Sequence, residues 1–266
     1  MSDYILRVED IGIEFGGLKA VDDVSIAVRP GEILSVIGPN GAGKTTLFNL
    51  ISGVYRPGSG RVFLHEQDVT ELPPHKLAGL GLTRTFQNLQ IFMSMTAIEN
   101  VMVGRHLHES RNVLAHMLTL PSVRRQRAAS RKVGLEMLDR VGLADQADRP
   151  ASALPYGALK RLEIARALAQ EPSVLLLDEP AAGCNPRETE EVDEIIQQVA
   201  ESGVAVVLVE HDMRLVMKIS SHIIVLNFGR KLSEGSPDQI KDDPAVVEAY
   251  LGQDWDKNEG ETLAVD

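Results

Sequence analysis

Apolar residues fall along this chain in two rhythms. Short, nearly unbroken runs at 33–37, 174–177, 204–209 and 223–226 have the length of strands and the composition of strands covered on both faces. Between them lie stretches with helical spacing. One is 44–52, closed by Gly53, and another is 186–200, where Val192, Ile195, Ile196 and Val199 fall at i, i+3, i+4 and i+7. Apolar strands alternating with amphipathic helices predict βα units around a mainly parallel sheet. From about 88 to 153 no strand run recurs, and 133–141 carries helical spacing through Leu135, Leu138 and Val141, so this region is expected to be a helical insertion.

Composition narrows the function classes. The chain has 266 residues, 44% apolar and 24% charged, which suits a soluble globular protein of one large domain or two smaller ones. Twenty-seven basic against 38 acidic residues leave a net charge of −11, so the positive field that nucleic acid binding relies on is missing. The first ten residues lack a basic start followed by an apolar stretch, and no apolar run approaches the roughly 20 residues that span a bilayer. A cytosolic protein that meets a membrane only through a partner is expected. The single cysteine, Cys184, permits neither an internal disulfide nor a cysteine-based zinc site, and reads as a small buried filler. Two segments carry charge of their own. Residues 104–133 hold seven basic residues against Glu109, either a solvated helix face or a docking surface, and 252–266 holds five acids and one lysine, the composition of a mobile tail.

The first chemistry-bearing motif is Gly38-Pro39-Asn40-Gly41-Ala42-Gly43-Lys44-Thr45, a match to G-x-x-x-x-G-K-[ST] placed between the strand 33–37 and the helix that opens at Lys44. Glycines let the loop curl so that its N–H groups point inward, and the helix end adds partial positive charge, together a cradle for a polyphosphate. Lys44 would bridge the β- and γ-phosphates, and the Thr45 hydroxyl would sit on Mg²⁺. The second motif is the run 174–177 ending in Asp178 and Glu179. Beside a phosphate loop, Asp178 is placed to orient the metal's shell, and Glu179 to accept a proton from an attacking water.

With these elements in order, the sequence resembles the ATPase subunits of ATP-binding cassette (ABC) transporters over about residues 4–251. The resemblance gives Phe15 the place of the aromatic that stacks on adenine, and adds Thr46 to the nucleotide contacts. Gln87, in Thr85-Phe86-Gln87-Asn88, takes the place of the glutamine that touches Mg²⁺ and water. His211, in Glu210-His211-Asp212, takes that of the histidine contacting the γ-phosphate. The run from Leu154 through Pro155, Tyr156 and Gly157 to Ala158 stands where the family signature, commonly L-S-G-G-Q, faces the nucleotide of a second subunit. It departs at three of five positions. Pro155 offers neither hydroxyl nor N–H, which leaves Gly157, beside Tyr156, and the following helix end as phosphate-facing groups. Asn185 replaces the usual aspartate of the loop that follows, where its amide could hydrogen-bond across a subunit boundary.

The resemblance implies an α/β P-loop NTPase fold with a mainly parallel sheet, an N-terminal antiparallel β region and an inserted helical subdomain. It implies one domain over 1–251, with its core at 1–87 and 154–251 and the insertion at about 88–153. A finer resemblance, carried by Arg84-Thr85-Phe86-Gln87-Asn88, Met95-Thr96-Ala97-Ile98-Glu99-Asn100 and Val209-Glu210-His211-Asp212-Met213, is to the ATPase subunits of bacterial branched-chain amino-acid importers. It implies ATP and Mg²⁺ as ligands and a second cassette, expected to be a different chain. Two membrane permeases, a periplasmic binding protein acting indirectly, and a seat on the cytoplasmic face of the membrane follow from it too. An ATPase for lipid or lipopolysaccharide export, and a soluble mechanical ATPase, remain as alternatives.

Overall fold

Strands that carry apolar side chains on both faces must be covered on both, and that requirement organises this molecule. The structure, a computed structural model, describes residues 3–109 and 121–251, so Arg111 and the acidic segment 252–266 lie outside the described residues. In chain order the first elements are β1 (Leu6–Phe15), β2 (Leu18–Val28), β3 (Ile33–Ile37), α1 (Lys44–Ile51), β4 (Ser59–Leu64), β5 (Gln67–Asp68), α2 (Pro74–Gly79), β6 (Leu82–Arg84) and α3 (Ala97–Gly104). There follow α4 (Pro121–Arg140), α5 (Tyr156–Leu168), β7 (Val174–Asp178), α6 (Pro186–Glu201), β8 (Ala205–Val209), α7 (Met213–Ile219), β9 (His222–Asn227), β10 (Arg230–Gly235), α8 (Pro237–Lys241) and α9 (Pro244–Val246). They form two compact units, Met1–Pro74 with Ala205–Asp266, and His75–Val204.

In the first unit β3 pairs in parallel with β8 on one side and β9 on the other, and β10 runs antiparallel along β9. Every residue of β3 and β8 is buried. Ser35, the polar residue of β3, shares a 2.6 Å hydrogen bond with the Ser220 hydroxyl, which removes the penalty of burying it. Ile37, Ile223 and Val225 pack with Val216 of α7, Ile240 of α8 and Val246 of α9. The same unit holds an antiparallel sheet in the order β2-β1-β4-β5, the N-terminal antiparallel region that the family resemblance implies. Its strands alternate, with Leu6 and Val8 inside and Arg7 and Glu9 toward solvent, and shifts in register between Val8 and Glu14 break the period. Arg230 of β10 bonds Asp22 of β2 at 2.6 Å, and Lys231 donates to the Ser25 carbonyl oxygen at 3.2 Å.

The second unit pairs β6 and β7 in parallel and carries α3 to α6. Capping boxes start two of these helices, Thr96 with Glu99 at α3 and Asn185 with Glu188 at α6. The buried face of α6 is the predicted one, Val192, Ile195, Ile196 and Val199. The helices α3 and α4 lie in the region 88–153, where no strand falls among the described residues. Arg124, Arg125, Arg127, Arg131 and Lys132 are exposed on α4, and Gly134, Met137 and Leu138 are buried. Bounds differ by a residue or so: the run 174–177 extends to Asp178, 204–209 begins at Ala205, and 44–52 ends at Ile51. The extension of β7 has a cause, the Asp178 N–H donating to the Thr85 hydroxyl at 3.3 Å.

The phosphate loop leaves β3 at Gly38, whose φ is +150° and whose added methyl would lie 2.1 Å from the Leu226 carbonyl oxygen of β9. Backbone rather than a movable side chain stands in the way. Gly38→Ala is therefore expected to lower the unfolding free energy by at least about 2 kcal/mol, read as a fall in the urea midpoint with an unchanged slope.

Candidate nucleotide site

The loop 38–43 is built to be entered from its main-chain side. Gly43 is the N-cap of α1 at φ +102°, and no side chain caps that helix. The first N–H groups of α1 are thus left for an anion to meet. Gly41 has φ +82° and nothing within 4 Å of the place its Cβ would take, so the loop is open there. Lys44 folds back on the loop, its ammonium donating to the carbonyl oxygens of Gly38 at 2.6 Å and Pro39 at 3.1 Å. Thr45 is exposed, and Thr46 beside it is half-buried. In the same unit Phe15 is 47% exposed and meets Tyr55 edge-to-face, with centroids 5.4 Å apart, so its ring is not core packing. His211 follows β8; its ring, 63% exposed, lies 3.9 Å from the buried Glu210 carboxylate. Asp212 caps α7 immediately after it.

The second unit gathers the remaining predicted residues around the end of β7. Asp178 pairs with Arg84 at 2.9 Å, and the two side chains are 4% and 7% exposed. Burial lifts the Asp178 carboxyl above the usual carboxylate range, and the hydrogen bond and charge of Arg84 recover part of that shift. The Arg84 guanidinium also stands 5.4 Å over the Phe86 ring. Glu179 has φ +50°, the left-handed region that residues with a Cβ rarely adopt. Its carboxylate accepts a 3.2 Å hydrogen bond from the Gln87 side-chain amide, so two residues expected to serve the attacking water meet.

Pro155 is the N-cap of α5 and gives it no side-chain bond, as its chemistry requires. The Tyr156 hydroxyl donates to the Ala182 carbonyl oxygen at 3.2 Å, and Gly157 is buried against the Glu188 side chain. Asn185, expected to reach across a subunit boundary, uses its side-chain oxygen on the Glu188 N–H at 3.0 Å. Cys184 is half-buried rather than the buried filler expected.

Among the described residues no group of three or more His, Cys, Asp or Glu side chains stands ready to cage a metal. A Mg²⁺ that arrives with phosphates and waters asks for only one or two protein oxygens, hard donors of the kind that Thr45 and Asp178 supply. The donor chemistry fits. Sequence reasoning assigned no role to Arg84, Lys160 or Tyr55. Arg84 stood inside a quoted motif, while Lys160 sits in a run of charged residues that looks like any solvated helix face.

Comparison with known proteins adds relatives. A family model described as "ABC transporter" matches residues 21–182, and one described as "Branched-chain amino acid ATP-binding cassette transporter" matches residues 230–256. Over 254 residues the chain is 46% identical to the high-affinity branched-chain amino acid transport ATP-binding protein BraF of Pseudomonas aeruginosa, covering 95% of this chain and 100% of that one. Identity to LivG of Escherichia coli, with the same descriptive name, is 44% over the same lengths. The lipopolysaccharide export system ATP-binding protein LptB of Acidithiobacillus ferridurans is 36% identical, over 94% of this chain and 98% of its own. Among solved structures, an ATP-binding cassette of an ABC transporter in its ADP conformation superposes with a TM-score of 0.83 at 32% identity, covering 95% of this chain and 100% of the other.

The buried Arg84–Asp178 pair gives a test of its own. Removing the cation alone in Arg84→Met leaves a carboxylate without its counter-charge and is expected to cost about 3–5 kcal/mol in urea unfolding. Adding Asp178→Asn in the same chain should restore most of that loss, because the charge that needed a partner is gone.

Proposed function

Since this chain belongs to the ATP-binding cassette transporter family, as the match over residues 21–182 and the 46% identity to BraF show, we propose that it is the ATP-hydrolysing subunit of an importer for branched-chain amino acids. The observation that carries the substrate class is the near full-length identity to BraF and LivG, together with the match of residues 230–256 to the branched-chain family model. The export reading has the support of LptB at 36% and lacks that second match.

Each residue has a task in this reading. The N–H groups of Gly38, Asn40, Gly41 and Gly43 and the start of α1 receive the phosphates, with Thr46 beside them, while the Ala42 N–H closes the loop on the Pro39 carbonyl oxygen. Lys44 exchanges its two carbonyl partners for phosphate oxygens. Phe15 stacks on adenine; Thr45 and Asp178 would hold Mg²⁺, with Gln87 as a further polar partner for the metal and the water. The cation, when bound, neutralises charge on the β- and γ-phosphates. Glu179 takes the proton of the water as its oxygen bonds to the γ-phosphorus; the bond to the β–γ bridging oxygen breaks, giving ADP and phosphate. His211 donates to the γ-phosphate oxygens. Tyr156, Gly157 and the first turn of α5 face the nucleotide of a second cassette.

Its relatives BraF and LivG are ATP-binding proteins of branched-chain amino acid transport, and the same role here calls for membrane permeases as partners; among the described residues no helix is long and apolar enough to cross a membrane. We assign the chain to the cytoplasmic face, bound to two permeases and, through them, served by a periplasmic binding protein. The second cassette is a different, related chain. ATP acts on the permeases by binding the closed pair of cassettes more tightly than the open one, and hydrolysis removes that preference.

Glu179→Gln tests the reading. Hydrolysis should fall by roughly 10²–10⁴ while Mg-ATP binding persists, and sedimentation should show a nucleotide-dependent complex with a co-expressed second cassette. Cells lacking the chain should lose high-affinity leucine uptake and regain it with the wild type but not with the variant. A variant that hydrolyses ATP at the wild-type rate, or unimpaired leucine uptake without the chain, would refute it.

A further inference from the structure

Two side chains from the start of α5 hold the peptide segment that follows β7. Tyr156 and Lys160 are four residues apart and share one helix face. The Tyr156 hydroxyl donates to the Ala182 carbonyl oxygen at 3.2 Å, and the Lys160 ammonium donates to the Glu179 carbonyl oxygen at 3.2 Å. That same Glu179 oxygen accepts the Ala182 N–H at 3.1 Å. Residues 179–182 are therefore a turn closed on the oxygen that Lys160 grips and tied at its far end by Tyr156.

The turn needs holding. Its first residue, Glu179, sits at φ +50°, a conformation that a residue with a Cβ keeps only where the surroundings fix it. Lys160 is 2% exposed, and burying an ammonium is unfavourable unless it is bonded and paired. The carboxylates of Glu163 and Asp178 both feel its charge, which accounts for its being tolerated there. The Tyr156 ring lies 6.0 Å from the ammonium and packs on Gly183, where a methyl would come within 3.0 Å of Cε1. A purely structural contact could have been made by an apolar residue of similar length. A buried lysine aimed at the main-chain oxygen of the carboxylate-bearing residue is a costlier device, and what it specifies is the orientation of that peptide.

We infer that Lys160 and Tyr156 are positioning residues for Glu179: from the first turns of α5 they hold the 179–182 turn in the one conformation that presents the Glu179 carboxylate to the attacking water. The inference rests on the reading of Glu179 as the proton acceptor. Neither side chain exchanges a proton in this role; both act through the peptide they hold.

The test is steady-state ATP hydrolysis by the full chain in its assembly with the second cassette, with nucleotide affinity measured separately by displacement of a fluorescent ATP analogue. Lys160→Met keeps the stem and removes the donors, and kcat should fall by about 10- to 100-fold with KM and nucleotide affinity within about twofold of wild type. Tyr156→Phe, which removes one oxygen, should lower kcat about three- to tenfold and decides the matter should Lys160→Met fail to give a cooperative melt. Built into Glu179→Gln, Lys160→Met should not reduce the residual rate further, because the group it positions is gone. Wild-type kcat in the single variants, or an equal further loss in the Glu179→Gln background, would overturn the inference. Should Glu179→Gln itself hydrolyse ATP normally, the assignment of Glu179 fails instead.

Discussion

A carboxylate at the end of an apolar strand must stay usable as an anion where water hardly reaches, and the second unit is arranged around that demand. Leu175, Leu176 and Leu177 precede Asp178 with almost no exposure. An isolated charge at such a place would simply take up a proton. Arg84 opposes this with its hydrogen bond and charge, and the way it does so follows from strand pairing. Because β6 lies parallel to β7 with Arg84 opposite Leu176, the residues beyond run on in step. The Thr85 N–H donates to the Leu176 carbonyl oxygen, the Thr85 hydroxyl accepts the Asp178 N–H, and Gln87 reaches the Glu179 carboxylate. Three residues within 84–87 thus serve three within 176–179, and a slip of one residue would send each side chain to the opposite face.

Such pairing explains what could and could not be seen in the chain beforehand. The runs 33–37 and 204–209 were legible because strands buried on both faces leave no room for charge. The buried stripe of α6 was legible because its spacing is regular. The antiparallel sheet was reached only through the family resemblance: β1 and β2 are half-exposed, carry charges at alternate positions and lose their period at register shifts. β6, three residues long, is too short for any period. The phosphate loop and the Asp178-Glu179 pair were plain, since their residue types are demanded by chemistry. Arg84 and Lys160 were not, because a buried cation and a solvated one are spelled alike, and only the partner across the fold distinguishes them.

The departures at 155, 156 and 185 make one set when their contacts are followed. Pro155 denies α5 a side-chain cap, so whatever meets this helix end meets bare N–H groups. Their aim depends on how the first turn is held. Tyr156 ties that turn to Ala182, and Gly157, having no side chain, lets it settle against Glu188. Glu188 in turn cannot swing away freely, since its carboxylate accepts the Asn185 N–H at 3.0 Å while Asn185 caps the Glu188 N–H. The amide that replaces an aspartate therefore works first within its own chain, as half of a capping box worth about 1 kcal/mol. In the proposed reading, a signature without its hydroxyl donor recognises phosphate by the direction of main-chain N–H groups alone. Direction is what a tether at Tyr156 and a fixed neighbour at Glu188 supply, so the substitutions that remove a side-chain contact and those that stiffen its surroundings belong to one solution.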